Sequence, residues 1–89
     1  MKKAVKTQVG RRLKIISGQI AGLQKKVENE EYCIDIITQT SAVRQALSAI
    51  EDLMLENHLT THVTEQIQAG QQKKAVDEIL SVYKLSKKK

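Results

Sequence analysis

The chain has 89 residues, no Trp, Phe or Pro, a single Cys and a formal net charge of +5. Such a length fits one domain over residues 1–89, and one Cys excludes a disulfide framework, so oligomerisation or a bound metal is the expected aid to a small core. The start "MKKAVK" is charged like a secretory signal, but no apolar segment follows and no run approaches the roughly 18–20 apolar residues of a membrane span, so a cytoplasmic protein with no membrane partner is expected.

Val5, Val9, Leu13, Ile16, Ile20, Leu23 and Val27 recur at steps of three and four, which predicts an amphipathic first helix over about residues 5–27. Gly18 interrupts it at a cost of about 1 kcal/mol against Ala, which points to close packing there. Residues 1–26 hold eight Lys or Arg and no acidic residue. The acidic "ENEEY" then predicts a turn and a new start, because carboxylates favour a helix N-terminus. From about Tyr32 to about Ala69 the apolar pattern is helical again, through Ile36, Thr40, Val43, Leu47, Ile50, Met54 and Thr61. This stretch is acidic, and Gly70 is its natural stop. A short third helix carries Ala75, Val76, Ile79, Leu80 and Tyr83, followed by the Lys-rich "KLSKKK". Residues 1–4 and 86–89 are expected to fray. Nothing reads as a strand. The expected class is all-α, a three-helix protomer with two long helices and one short, and its two basic ends favour a polyanionic partner, nucleic acid first.

The second helix contains Cys33 and both histidines, His58 and His62. At 3.6 residues per turn, His58 lies about 6.9 turns and His62 about 8.1 turns beyond Cys33, so all three share one face to within about 40°. The rise of about 1.5 Å per residue also puts Cys33 roughly 37 Å from His58, too far to share a metal within one chain. An antiparallel second copy, crossing near Ala46 and Leu47, brings Cys33 of one chain to His58 and His62 of the other, and two-fold symmetry makes two such sites per dimer. A thiolate with two imidazoles suits Cu(I), Zn(II), Ni(II) or Co(II) rather than Mg or Ca. Catalysis is not expected, since no oxyanion-stabilising loop or Gly-rich phosphate loop accompanies these residues.

From about residue 10 to residue 83 the sequence resembles the CsoR/RcnR family of bacterial metal-sensing transcriptional repressors. "SGQIAGL", the context of Cys33, "TSAV", and "NHL" with a ligand four residues after the His carry the likeness. The resemblance implies an antiparallel four-helix-bundle dimer, a dimer-of-dimers tetramer, and an operator-bound metal-free form released by inducer. Copper-sensing members have a second Cys where His62 stands. Nickel and cobalt sensors add an N-terminal His that "MKKAVKTQ" lacks, formaldehyde sensors use an N-terminal Pro, and persulfide sensors use two Cys. Tyr32, and Glu78 in "AVDEI", match the residues through which copper sensors are thought to couple the His ligand to DNA release. Cu(I) is therefore the implied inducer, derepressing copper-resistance genes. A nickel/cobalt- or zinc-responsive repressor is the alternative within the family, and a cytosolic metal-binding protein that does not touch DNA is the alternative outside it. For DNA contact, Arg12 and Lys14 match basic positions the family uses, Arg11 and Gln19 lie close by, and Arg44 lies near a position that is basic in some members and Ala49 here.

Overall fold

The computed structural model describes residues 1–88, which form helices and turns; Lys89, part of the end expected to fray, lies outside the described residues. Helix α1 spans Lys3–Glu28, α2 Cys33–His58, α3 Thr64–Gln68 and α4 Gln72–Ser86, and a π-helical turn, Leu59–Val63, joins α2 to α3. His58 and Thr64, which flank that turn, both keep right-handed helical dihedrals (φ −61°, ψ −44° and φ −59°, ψ −45°), so α2, the π turn and α3 together make the second long helix. The order long, long, short is as the periodicity predicts. The chain forms two compact units, Met1–Leu55 and Glu56–Lys89.

In the first unit, Val9 and Ile16 of α1 and Val43 and Ile50 of α2 form the buried core, with Val5, Leu23, Ala46, Leu53 and Met54 packed around it. Leu13, Ile20 and Val27 belong to the same apolar stripe, yet they remain 47%, 46% and 58% exposed. One unit thus covers only part of the stripe that its sequence carries.

The turn between α1 and α2 is closed by two backbone bonds, Glu30 N to Val27 O at 3.0 Å and Glu31 N to Lys26 O at 3.0 Å. This is the Schellman arrangement, and it places Glu30 in the left-handed region at φ 50°. The carbonyl of Tyr32 then accepts from the amides of Asp35 and Ile36, which starts α2. Gly18 departs from expectation: a Cβ there would meet nothing within 4 Å, so no close packing within the chain explains it.

In the second unit the helix widens where threonines cluster. Thr60 Oγ1 donates to Glu56 O at 3.0 Å, Thr61 Oγ1 to Asn57 O at 2.6 Å, and Thr64 Oγ1 to Leu59 O at 3.4 Å. Hydroxyls that bond back to the preceding turn bend and loosen a helix, and three within five residues favour the change from i→i+4 to i→i+5 bonding. An uninterrupted 3.6-residue register over the whole second helix, from which the common face of Cys33, His58 and His62 follows, therefore does not hold past His58. The helix ends as predicted at Gly70, φ 78°, where Gly70 N bonds Ile67 O at 3.1 Å and Gln71 N bonds Gln66 O at 2.7 Å. Val63 and Ala75 are the buried apolar residues of this unit.

Candidate metal centre and nucleic-acid face

The second unit contains the two imidazoles. His58 is the last residue of α2 and His62 lies in the π turn, with ring centroids 5.5 Å apart and planes tilted by 38°. The two rings stand about one turn apart on neighbouring positions of the helix, tilted toward each other and not stacked. Glu78 reaches His58 from α4, its Oε2 standing 3.3 Å from Nε2. An imidazole whose Nε2 faces a carboxylate keeps its proton there and presents the Nδ1 lone pair to a metal. His62 has a weaker neighbour, with Nδ1 4.0 Å from Glu65 Oε2, beyond hydrogen-bonding distance.

Cys33 heads α2 in the first unit, and its thiol is free and exposed. Tyr32, just before it, is 71% exposed. The thiol and His58 occupy the two ends of one 26-residue helix. Among the described residues, no three His, Cys, Asp or Glu side chains converge as a metal site within the chain. The residues still fit a soft metal. Two imidazoles share one helical face, one is oriented by a carboxylate, and the thiol stands clear of its own chain, a set that suits Cu(I) or Zn(II) more than hard cations.

The basic residues divide into two kinds. Arg11, Lys14 and Arg44 are exposed. Arg12 and Gln19 are half-buried on the flank of the α1 core stripe, and each has a buried polar atom, Arg12 Nε and Gln19 Oε1, without a hydrogen-bond partner. The π turn beneath the His pair escapes motif reading and could be anticipated only from the density of threonines in "LTTHVT".

Residues 5–84 match the family described as "Metal-sensitive transcriptional repressor". The chain is 42% identical over 79 residues to the copper-sensing transcriptional repressor CsoR of Bacillus subtilis, covering 89% of this chain and 78% of that protein. It is 37% identical over 65 residues to the copper-sensing transcriptional repressor RicR of Mycobacterium tuberculosis, covering 73% of this chain and 68% of that one. A crystal structure of the copper-sensing repressor CsoR with Cu(I) from Geobacillus thermodenitrificans superposes with a TM-score of 0.91 at 36% identity, covering 99% of this chain and 92% of that chain. A helical protomer with two neighbouring imidazoles, one of them facing a carboxylate, and a free thiol at the head of α2, matched along nearly its whole length, belongs to the family of metal-sensitive transcriptional repressors.

Proposed function

We propose that this protein is a copper-responsive repressor acting in the reducing cytoplasm. Its metal-free form holds operator DNA, and Cu(I) shared between Cys33 of one chain and His58 and His62 of another releases it, derepressing copper-resistance genes. The observation that carries this reading is the His58–His62 pair, 5.5 Å apart with Glu78 on the Nε2 side of His58, at one end of a helix whose other end presents a free thiol. Ligands at the two ends of one helix meet only when a second copy runs antiparallel beside it.

The uncovered apolar residues support that copy. Leu13, Ile20 and Val27 of α1 and Leu47 of α2 lie beside the core and remain 40% or more exposed, a surface that costs stability until it is packed. A four-helix dimer covers it, and a dimer of dimers is the full assembly. Arg11, Arg12, Lys14, Gln19 and Arg44 form the contact set for DNA, with phosphates carrying most of the affinity.

Within this arrangement each residue has a task. Cys33, His58 and His62 hold the metal, which supplies a bridge between chains when bound. Glu78 orients the His58 ring, and Tyr32, beside Cys33, stands where it can join that network across the interface. Filling the site shifts the assembly between two packings, by no more than the difference in metal affinity between them.

The test is an anaerobic Cu(I) titration of reduced protein bound to a duplex from upstream of its own gene, repeated with Ni(II). One tight Cu(I) per chain with release of the duplex is the expected result. Tight Ni(II) with weak Cu(I) would move the protein to the nickel/cobalt reading. Glu78→Ala is expected to weaken Cu(I) binding by about 10–100-fold, the usual cost of losing a carboxylate behind a His ligand. The same variant at saturating Cu(I) should release DNA less completely than wild type, which a fluorescence-anisotropy plateau reports.

A further inference from the structure

Glu65 is the second residue of α3, just beyond the His pair, and belongs to the same compact unit as His58, His62 and Glu78. Its Oε2 stands 4.0 Å from Nδ1 of His62, three residues earlier, and its side chain is 75% exposed. At that distance no hydrogen bond holds the carboxylate, and open solvent leaves it free to turn. Two donor atoms on one tetrahedral metal, with bonds of about 2.0–2.2 Å, stand about 3.4 Å apart. The observed 4.0 Å is therefore about 0.6 Å wider than a shared metal needs, a gap that one side-chain rotation closes. A His and a Glu three apart on a helix serve one metal in the carboxylate centres of helix bundles. The other oxygens beside the pair are engaged elsewhere. Thr60, Thr61 and Thr64 donate to backbone carbonyls, and Glu78 faces Nε2 of His58.

Charge and ligand number give this neighbour a task. One thiolate and two neutral imidazoles make three donors and one negative charge, which neutralises a monovalent soft ion. Zn(II) or Co(II) carries a second positive charge, and Zn(II) takes four ligands. A carboxylate supplies both the missing donor and the missing charge. We propose that Glu65 is the ligand that fits this site to a divalent ion: Cu(I) takes Cys33 of one chain with His58 and His62 of another and leaves Glu65 free, whereas Zn(II) or Co(II) takes those three and Glu65. The proposal rests on the shared-site reading above and deepens it. Glu65 ties α3 to the metal only when the ion is divalent, so the two kinds of ion leave the second unit in different states.

The test compares wild type with Glu65→Gln and Glu56→Gln, all reduced and anaerobic. Cu(I) and Zn(II) affinities are read by chelator competition, and Co(II) binding by its absorption spectrum. Glu65→Gln should keep Cu(I) affinity within about twofold and lose about tenfold or more in Zn(II) affinity, the least that a lost metal-site carboxylate costs. Its Co(II) complex should keep the thiolate charge-transfer band while the visible d–d bands change in intensity and position. Glu56→Gln removes the same charge two residues before His58 and should leave all three readings as in wild type. An equal loss of Cu(I) and Zn(II) in Glu65→Gln would overturn the proposal and make Glu65 a residue that orients His62. An unchanged Co(II) spectrum would overturn it too, as would the same Zn(II) loss in Glu56→Gln. A wild-type Co(II) complex without the thiolate band would instead strike the shared site itself, and the role of Glu65 with it.

Discussion

Cys33→Ser is expected to produce a repressor that still holds its operator and no longer answers to copper. The thiol is exposed and unpaired in its own chain, so the substitution removes no core packing and should change stability by no more than about 0.5 kcal/mol. The soft ligand, however, disappears outright. A serine hydroxyl is a hard, neutral donor, and two imidazoles alone offer Cu(I) neither a negative charge nor a polarisable atom. In the titration, tight Cu(I) uptake should vanish, and operator affinity in the absence of metal should match wild type within about twofold, roughly 0.4 kcal/mol. Release of DNA by Cu(I) from this variant would show that Cys33 is not the ligand that couples metal to operator.

A larger effect is expected from Leu47→Glu, because it acts on the assembly. Leu47 lies midway along α2, beside Val43 and Ile50 of the core, and is 41% exposed in the isolated chain. In an antiparallel pairing that brings Cys33 to His58 and His62 of the other chain, the two-fold axis passes near Ala46 and Leu47, so each Leu47 meets its own copy. Losing its burial costs about 2 kcal/mol per chain and thus about 4 kcal/mol per dimer, roughly a thousandfold in dissociation constant before like-charge repulsion is added. Light scattering should report monomers, Cu(I) stoichiometry should collapse, and operator binding should vanish with it. Helicity should persist, since the cluster of Val9, Ile16, Val43 and Ile50 belongs to a single chain. A variant that remains a dimer and still binds copper tightly would place the partner on another face.

Much of this architecture is legible without coordinates, for identifiable reasons. A stripe such as Val5–Val9–Leu13–Ile16 fixes a helix through a single repeating period, and Gly70 announces a left-handed cap because no other residue takes φ 78° so cheaply. The α1–α2 turn is legible in position but not in form, since Glu30 adopts a left-handed φ that its side chain does not advertise. Periodicity also fails at the π turn. That turn coincides with side-chain-to-backbone bonds of Thr60, Thr61 and Thr64, which compete locally with the helix and leave the apolar pattern untouched. For the site, residue type and spacing are enough to single out Cys33, His58 and His62. The approach of Glu78 to His58 depends on how α4 folds back, which local spacing does not encode. Arg12 and Gln19 show the same limit: their polar character suggests open surface, yet the helix phase tucks part of each against the core.

If Cu(I) is shared between Cys33 of one chain and His58 and His62 of another, as proposed, the placement of the thiol at the head of α2 and His58 at its tail has a genetic meaning. A site assembled from opposite ends of two copies belongs to neither gene product alone. A subunit lacking the thiol still contributes both imidazoles, and one lacking the imidazoles still contributes the thiol. When the two are made in one cell, a mixed dimer holds one intact centre and one empty of ligands, so two alleles that are each blind to metal can restore a partial response together. Two alleles damaged at the same end cannot. Complementation between alleles thus follows from the length of a single helix.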